Sequence, residues 1–287
     1  MYDYIKSCVS LNGNMSELFS CQIGLREGDN LSPILFSFYL NDLKDHLMTY
    51  SEGISLKHDA YGIEQLFHLF LIMYADDTVL FADTRAKLQH ILNCYIEYCE
   101  KWKLCINPDK TKVMIFGKNY SKPNIKIYGN NLEVVNNFKY LGITFSKNGR
   151  FIHSLKDNIE KARKGLYALM NRCKDKFIPL DCKLELFSKC IEPILLYGCE
   201  IWGTEDYAIL EQFRLKCYKT IMKAKSSTPA YMIYGELGLL PLSYFIQKRM
   251  ISYWCKVISS GPKTLARQLY DIMYDDFVKK RNIFKMA

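Results

Sequence analysis

The spacing of apolar residues changes along this chain and predicts two differently built halves. Before Arg150, short runs of β-forming residues alternate with two segments of helical spacing. Beyond Arg150, apolar positions recur almost only at intervals of three and four residues. The first half is therefore expected to mix strands and helices, and the second half to be helical.

Turn residues divide the first half into elements. Asn12-Gly13-Asn14 between two apolar runs predicts a β-hairpin. Pro33 begins a predicted helix over residues 34–48, and Thr84 is the predicted N-cap of a second helix with an apolar stripe. The predicted strands cover residues 7–11, 18–23, 66–74, 78–81, 112–116, 125–128 and 138–145.

The second half begins with a long amphipathic helix over residues 154–173. Its apolar residues are spaced alternately by four and three positions, which keeps them on one face: Leu155, Ile159, Ala162, Leu166, Leu169 and Cys173. Further helices are predicted over residues 179–196, 208–223 and 241–258.

Composition narrows the class of protein. Hydrophobic residues make up 49% of the 287 positions, enough for a folded core. No basic segment followed by an apolar stretch begins the chain, and the apolar runs are too short to cross a bilayer, so we expect an intracellular protein, nuclear or cytoplasmic. The cysteines include no Cys-x-x-Cys pair, and most of them, such as Cys94, Cys99 and Cys190, are predicted to be small buried residues.

The net charge of +9 is unevenly distributed. Residues 1–150 contain 16 Lys and Arg and 16 Asp and Glu, whereas residues 151–287 contain 23 and 14. The excess positive charge of the second half indicates either a polyanion partner or a solvated helical surface.

Asp76 and Asp77 lie between two predicted apolar strands. Neighbouring strand residues face opposite sides of a sheet, so both carboxylates serve one ligand only if a tight turn falls on them. Two carboxylates 4 Å apart repel by about 4 kcal/mol at an effective dielectric near 20, which a divalent cation relieves. Mg²⁺ or Mn²⁺ binding is one interpretation, and ordinary turn chemistry is the other.

Four motifs in a fixed order resemble those of reverse transcriptases, and a fifth resembles non-LTR (LINE-type) retrotransposons in particular. Tyr74-Ala75-Asp76-Asp77 looks like the Tyr/Phe-x-Asp-Asp signature. The others are Gly24-Leu25-Arg26-Glu27-Gly28-Asp29-Asn30-Leu31-Ser32-Pro33-Ile34-Leu35-Phe36, Asn107-Pro108-Asp109-Lys110-Thr111, Tyr140-Leu141-Gly142 and Leu195-Leu196-Tyr197-Gly198-Cys199-Glu200-Ile201-Trp202-Gly203.

The resemblance implies an active site for RNA-directed DNA synthesis with an RNA template, a DNA primer and deoxynucleoside triphosphates. Asp76 and Asp77 would bind the metals, and Lys110 would act beside them as the third catalytic residue. Tyr140, Leu141 and Gly142 would form the primer grip. The implied nucleotide-binding residues are Arg26, Gly28, Leu31, Ser32 and Pro33, and those for the nucleic-acid backbone are Lys156, Lys161, Arg163, Lys164 and Arg172.

Two departures from the family pattern affect these expectations. Glu27 stands where the family usually has Gln, and Arg26 is its expected partner. Met1 falls after the place where the fingers and the first Asp-bearing catalytic strand of the family would lie. We therefore expect nucleic-acid binding, but no detectable primer extension, from the purified chain.

We predict an α+β fold: an incomplete right-hand polymerase palm, with an antiparallel sheet and helices on one face, followed by an all-helical thumb and extension. The expected boundaries are 1–149 for the palm, 150–225 for the basic thumb and 226–287 for the C-terminal extension. Two other functions remain open at this point: a catalytically silent nucleic-acid-binding remnant and a helical interaction protein.

Overall fold

The computed structural model describes residues 6–21, 24–26, 28–49, 53–60, 63–117, 123–172 and 178–283. They form a mixed α and β protein in which the sheets are small and mostly antiparallel pairs, as an α+β fold requires. The chain divides into two compact units, Met1–Asn107 with Ile125–Asn131, and Pro108–Asn124 with Leu132–Ala287.

The elements of the described chain are numbered in sequence order. The strands are β1 (Lys6–Ser7), β2 (Ser10–Leu11), β3 (Asn14–Met15), β4 (Phe19–Ser20), β5 (Ile54–Ala60), β6 (Ile63–Leu69), β7 (Leu71–Tyr74), β8 (Asp77–Leu80), β9 (Lys112–Met114), β10 (Lys126–Ile127), β11 (Asn130–Asn131), β12 (Glu133–Val135), β13 (Asn137–Tyr140) and β14 (Ile143–Ser146). The helices are α1 (Ser32–Tyr39), α2 (Leu43–Met48), α3 (Arg85–Lys101), α4 (Ile152–Arg172), α5 (Leu180–Leu186), α6 (Glu192–Leu195), α7 (Cys199–Trp202), α8 (Ala208–Ile221), α9 (Ala230–Leu237), α10 (Leu242–Ser259) and α11 (Leu265–Ile283), with a π-helical turn at Phe187–Ile191 between α5 and α6.

The predicted N-terminal hairpin is confirmed. Strands β2 and β3 pair antiparallel around Asn12 and Gly13, whose φ values of 51° and 86° are those that a two-residue type I′ turn needs. Strands β1 and β4 continue the pairing outward, with Lys6 opposite Ser20.

Two predicted elements of the first unit are each divided in the structure. The predicted helix over residues 34–48 is interrupted between α1 and α2, where the Asp42 carboxylate accepts a hydrogen bond of 2.5 Å from the hydroxyl of Tyr98. The predicted strand over residues 66–74 changes partners at buried Phe70, because β6 pairs with β5 and β7 pairs with β8. The local spacing of apolar residues predicts neither of these two divisions.

Helix α3 supplies half of the buried residues in the main core cluster of the first unit. Its predicted N-cap is confirmed, since the Thr84 hydroxyl accepts a hydrogen bond of 3.3 Å from the backbone N–H of Lys87. Its apolar face packs against α2 and the start of β7. The buried members of this cluster are Leu43, Leu47, Phe70, Ile91, Cys94 and Tyr98.

The second unit combines short strands with the long helices. Strands β9 and β12 pair in parallel, and β13 and β14 form an antiparallel hairpin where the sequence predicted one strand over residues 138–145. The predicted helices over 154–173, 208–223 and 241–258 correspond to α4, α8 and α10. The predicted helix over 179–196 is broken by the π-helical turn just before Pro193, a residue without a backbone donor for the regular helical pattern.

A charged network lies in the core of the second unit. Arg214 is only 1% exposed, and its Nε atom donates to Glu192 Oε1 at 2.5 Å while Nη1 donates to the carbonyl of Leu240 at 2.7 Å. The Tyr218 hydroxyl donates to the same Glu192 oxygen at 2.9 Å. Burial lowers the pKa of Arg214, but the surrounding Glu192, Tyr218 and Glu211 together outweigh burial and raise the pKa above its ordinary value.

The prediction that most cysteines are buried is wrong for the described residues, since only four of the ten described cysteines are buried. Cys94, Cys99, Cys199 and Cys217 are buried, but Cys190 is exposed, because the π-helical turn directs Phe187 and Ile191 inward instead. No helix in the described part of the chain is both long and apolar enough to cross a membrane.

Candidate functional site

The two aspartates lie at the tip of a tight β-hairpin. Strands β7 and β8 pair with Leu71 opposite Leu80 and Tyr74 opposite Asp77, so that Ala75 and Asp76 alone form the connection. Asp76 and Asp77 are both exposed, as is Tyr74. The tight turn that two neighbouring aspartates need in order to serve one ligand is therefore present.

Backbone strain marks this tip. Ala75 has a φ of 52°, a conformation that residues with a Cβ seldom adopt. Such a conformation costs about 1–3 kcal/mol and persists only where surrounding structure enforces it, often at functional sites. Below the tip, the Tyr95 hydroxyl of α3 hydrogen-bonds to Thr78 Oγ1 at 3.2 Å, and burial raises the pKa of Tyr95 to about 12.

The donor set at the tip fits a hard divalent cation. Two exposed carboxylates match the one or two protein ligands that Mg²⁺ commonly takes while it keeps water and phosphate oxygens in its other positions. The described residues contain no group of three or more acidic, His or Cys side chains able to hold a metal. By itself this pair would supply only part of the ligand set of such a cation.

The segment before α1 folds onto its own backbone. The hydroxyl of Ser32 donates to the Arg26 carbonyl at 2.6 Å, and the backbone N–H of Leu31 donates to Asp29 Oδ1 at 3.1 Å. Gly28 has a φ of 81° and open space where a Cβ would lie. Pro33 lies in the first turn of α1, as predicted.

Not every predicted site residue is placed relative to the aspartates. Glu27 lies outside the described residues, so its expected pairing with Arg26 does too. Lys110 occupies an exposed turn before β9 and belongs to the second compact unit, whereas Asp76 belongs to the first. The convergence of Lys110 with Asp76 and Asp77 stays a prediction.

The predicted primer grip is the tip of the β13–β14 hairpin. Tyr140 and Ile143 face each other across a two-residue connection of Leu141 and Gly142, with φ values of 47° and 81°. Leu141 is exposed, and its carbonyl accepts a hydrogen bond of 2.7 Å from the Tyr197 hydroxyl. The sequence predicts no role for Tyr197, although this residue belongs to the Leu-Leu-Tyr-Gly motif.

The predicted backbone-binding residues lie on α4, the most strongly amphipathic helix described. Lys156, Arg163, Lys164 and Arg172 are exposed, while Lys161 is half-buried with its ammonium 5.9 Å from the centre of the Tyr197 ring. At 3.6 residues per turn these five residues spread over a wide polar face rather than one line. Arg163 is also within 3.3 Å of Glu160, an exposed pair worth little energetically.

Comparisons of this chain with known proteins all indicate the same family. A model of the reverse transcriptase (RNA-dependent DNA polymerase) family matches residues 1–145. The chain is 25% identical over 275 residues to the RNA-directed DNA polymerase from mobile element jockey of Drosophila melanogaster, covering 91% of this chain and 28% of that protein. It is 28% identical over 165 residues to the retrovirus-related Pol polyprotein from type-1 retrotransposable element R2 of Popillia japonica, covering 52% and 26% respectively.

The chain therefore spans less than a third of the length of these relatives. The motifs of this chain indicate the same family as the family model, which matches about half of its residues. The jockey and R2 relatives indicate that family too. The chain belongs to the reverse transcriptase (RNA-dependent DNA polymerase) family, in its non-LTR, LINE-type branch.

Proposed function

We propose that this chain forms part of an RNA-directed DNA polymerase and contributes the Asp76–Asp77 carboxylates to nucleotidyl transfer. The observation that carries the proposal is the two-residue hairpin connection, which leaves both carboxylates exposed at one tip. Family membership supports a polymerase over the alternative of a helical interaction protein.

Asp76 and Asp77 would hold Mg²⁺ or Mn²⁺ through their oxygen atoms. When bound there, the cation would neutralise developing charge and activate the attacking primer hydroxyl. The chain would bind the incoming deoxynucleoside triphosphate through the segment from Arg26 to Pro33, where the backbone at Gly28 leaves open space. Lys110 would place a positive charge near the departing pyrophosphate.

The remaining residues would hold the template and primer. Tyr140, Leu141 and Gly142 would contact the primer end, and the basic residues of α4 would contact the phosphate backbone of the duplex. In the geometry of a right-hand polymerase, residues 1–149 would then be palm, residues 150–225 with helices α4 to α8 the thumb, and residues 226–287 an extension.

The proposal is tested by formation of a complex with metal and nucleotide. The full chain is mixed with an RNA template and a DNA primer that ends in a dideoxynucleotide, and complex lifetime is measured after a heparin challenge. With Mg²⁺, the deoxynucleoside triphosphate complementary to the next template base should lengthen the lifetime. Asp76→Asn and Asp77→Asn should each remove this effect, because each variant loses one of the two carboxylates proposed to hold the cation.

Asp83→Asn is the matched control, since Asp83 is an exposed aspartate whose partner is Lys87 on the surface at 3.1 Å. This variant should behave like the unmodified chain. The proposal is wrong if the correct nucleotide has no effect, or if its effect survives Asp76→Asn. With a primer that keeps its 3′-hydroxyl, any extension by Asp76→Asn would contradict it equally.

A further inference from the structure

The β13–β14 hairpin has little intrinsic means of holding its tip in one conformation. Each strand has only four residues, and isolated two-stranded hairpins are marginally stable in water. Leu141 has a φ of 47°, a left-handed conformation unfavourable for a residue with a branched side chain. Thr144 of β14 donates hydrogen bonds to Ser154 and Asp157 of α4, each at 2.6 Å, but these contacts hold the strand, so a further contact must contribute to the geometry of the tip.

Tyr197 provides two such contacts. Its hydroxyl donates to the Leu141 carbonyl at 2.7 Å, on the residue with the unfavourable φ. Its ring lies 3.0 Å from the position that a Cβ on Gly142 would occupy. The close approach explains the glycine at this position through packing against Tyr197, in addition to the positive φ.

Tyr197 is itself fixed by buried groups of the second unit. Its carbonyl accepts hydrogen bonds from Trp202 Nε1 at 2.9 Å and from Asn158 Nδ2 at 3.0 Å. Trp202 is completely buried, and Asn158 on α4 is 2% exposed. Gly198, with a φ of 71°, turns the chain directly after Tyr197. The position of Tyr197 is thus determined by helix α4 and the core beneath it.

We propose that Tyr197 is a positioning residue that holds the hairpin tip in a fixed place relative to helix α4. Lys161 of α4 has its ammonium 5.9 Å from the Tyr197 ring centre, so a residue of the basic face adjoins the same side chain. The tip and the basic helix would therefore hold a primer strand in one register. The anchoring needs no nucleic acid, whereas the effect on the primer rests on the function proposed above.

The anchoring is tested with Tyr197→Phe, which keeps the ring and removes the hydroxyl. Hydrogen exchange of the backbone amides of residues 137–146 is measured in the free full chain. One hydrogen bond is lost, so exchange in the hairpin should become about twofold to tenfold faster, with α4 unaffected. Tyr231→Phe, which removes the hydroxyl of a more exposed tyrosine on α9, is the control and should change nothing in the hairpin. Unchanged exchange in Tyr197→Phe would overturn the anchoring.

The effect on the primer is tested by photo-crosslinking from a diazirine on the 3′-terminal primer nucleotide to residues 140–142. Tyr197→Phe should lower the yield at least about twofold. Overall affinity for the duplex should stay the same, because no charge is removed. Faster exchange with an unchanged yield would overturn the primer role and leave Tyr197 a purely structural residue. If the unmodified chain gives no crosslink, the primer-grip function proposed above fails, and the exchange experiment still decides the anchoring.

Discussion

Neutralising Glu192 should destabilise the second unit far more than neutralising a surface carboxylate. Glu192 is 12% exposed and accepts hydrogen bonds from both Arg214 and Tyr218. Glu192→Gln leaves the guanidinium of Arg214 buried without its nearest counter-charge, and breaking a buried pair in this way costs about 3–5 kcal/mol. Glu211 remains 3.5 Å from Arg214, so we expect the lower end, about 3 kcal/mol.

Urea unfolding followed by tryptophan fluorescence measures this cost. Trp202 belongs to the same core cluster as Tyr218, so a background with Trp102→Phe and Trp254→Phe makes the signal specific to this unit. A loss of about 3 kcal/mol corresponds to a fall in Tm of about 6–12 °C for a unit of this size.

Glu160→Gln is the matched control. Glu160 is 58% exposed in its pair with Arg163 on α4, and exposed pairs contribute about 0–1 kcal/mol. If Glu192→Gln costs no more than Glu160→Gln, the desolvation of the buried pair cancels its attraction. The reasoning that the network stabilises the core would then be refuted.

Two further predictions concern binding and the first unit. Replacing Lys161, Lys164 and Arg172 together by Gln should flatten the slope of log affinity for a primer–template duplex against log salt by up to about three units. Lys248→Gln on α10 should leave the slope unchanged, and equal slopes in the unmodified chain and both variants would exclude α4 from the interface. Thr84→Ala removes the N-cap of α3 and should lower the free energy of unfolding of the first unit by about 1 kcal/mol, measured by urea denaturation. Thr84→Ser should retain most of this stability, and an equal loss in both variants would show that the capping hydrogen bond is not the cause.

The sequence determined the elements whose causes are local. Asn12 and Gly13 dictate a two-residue turn because they tolerate positive φ, and Thr84 caps α3 because its hydroxyl reaches the first turn of the helix. The alternating spacing of apolar residues by four and three positions likewise predicted a helix with nearly the same bounds as α4. The Asp76–Asp77 tip was predicted for the same reason, since two apolar strands flank it.

Only the tertiary structure decided the features that depend on distant residues. The predicted helix over 34–48 is interrupted near Asp42, whose carboxylate accepts a hydrogen bond from Tyr98 on α3. Tyr197 likewise contacts the tip of a hairpin that lies more than fifty residues earlier in the chain. Arg214 lies in a helix that the sequence predicted, but only the fold shows that its guanidinium is buried beside Glu192. Spacing along the chain reports which face of an element is buried, but it carries no information about which distant side chain completes a hydrogen bond there.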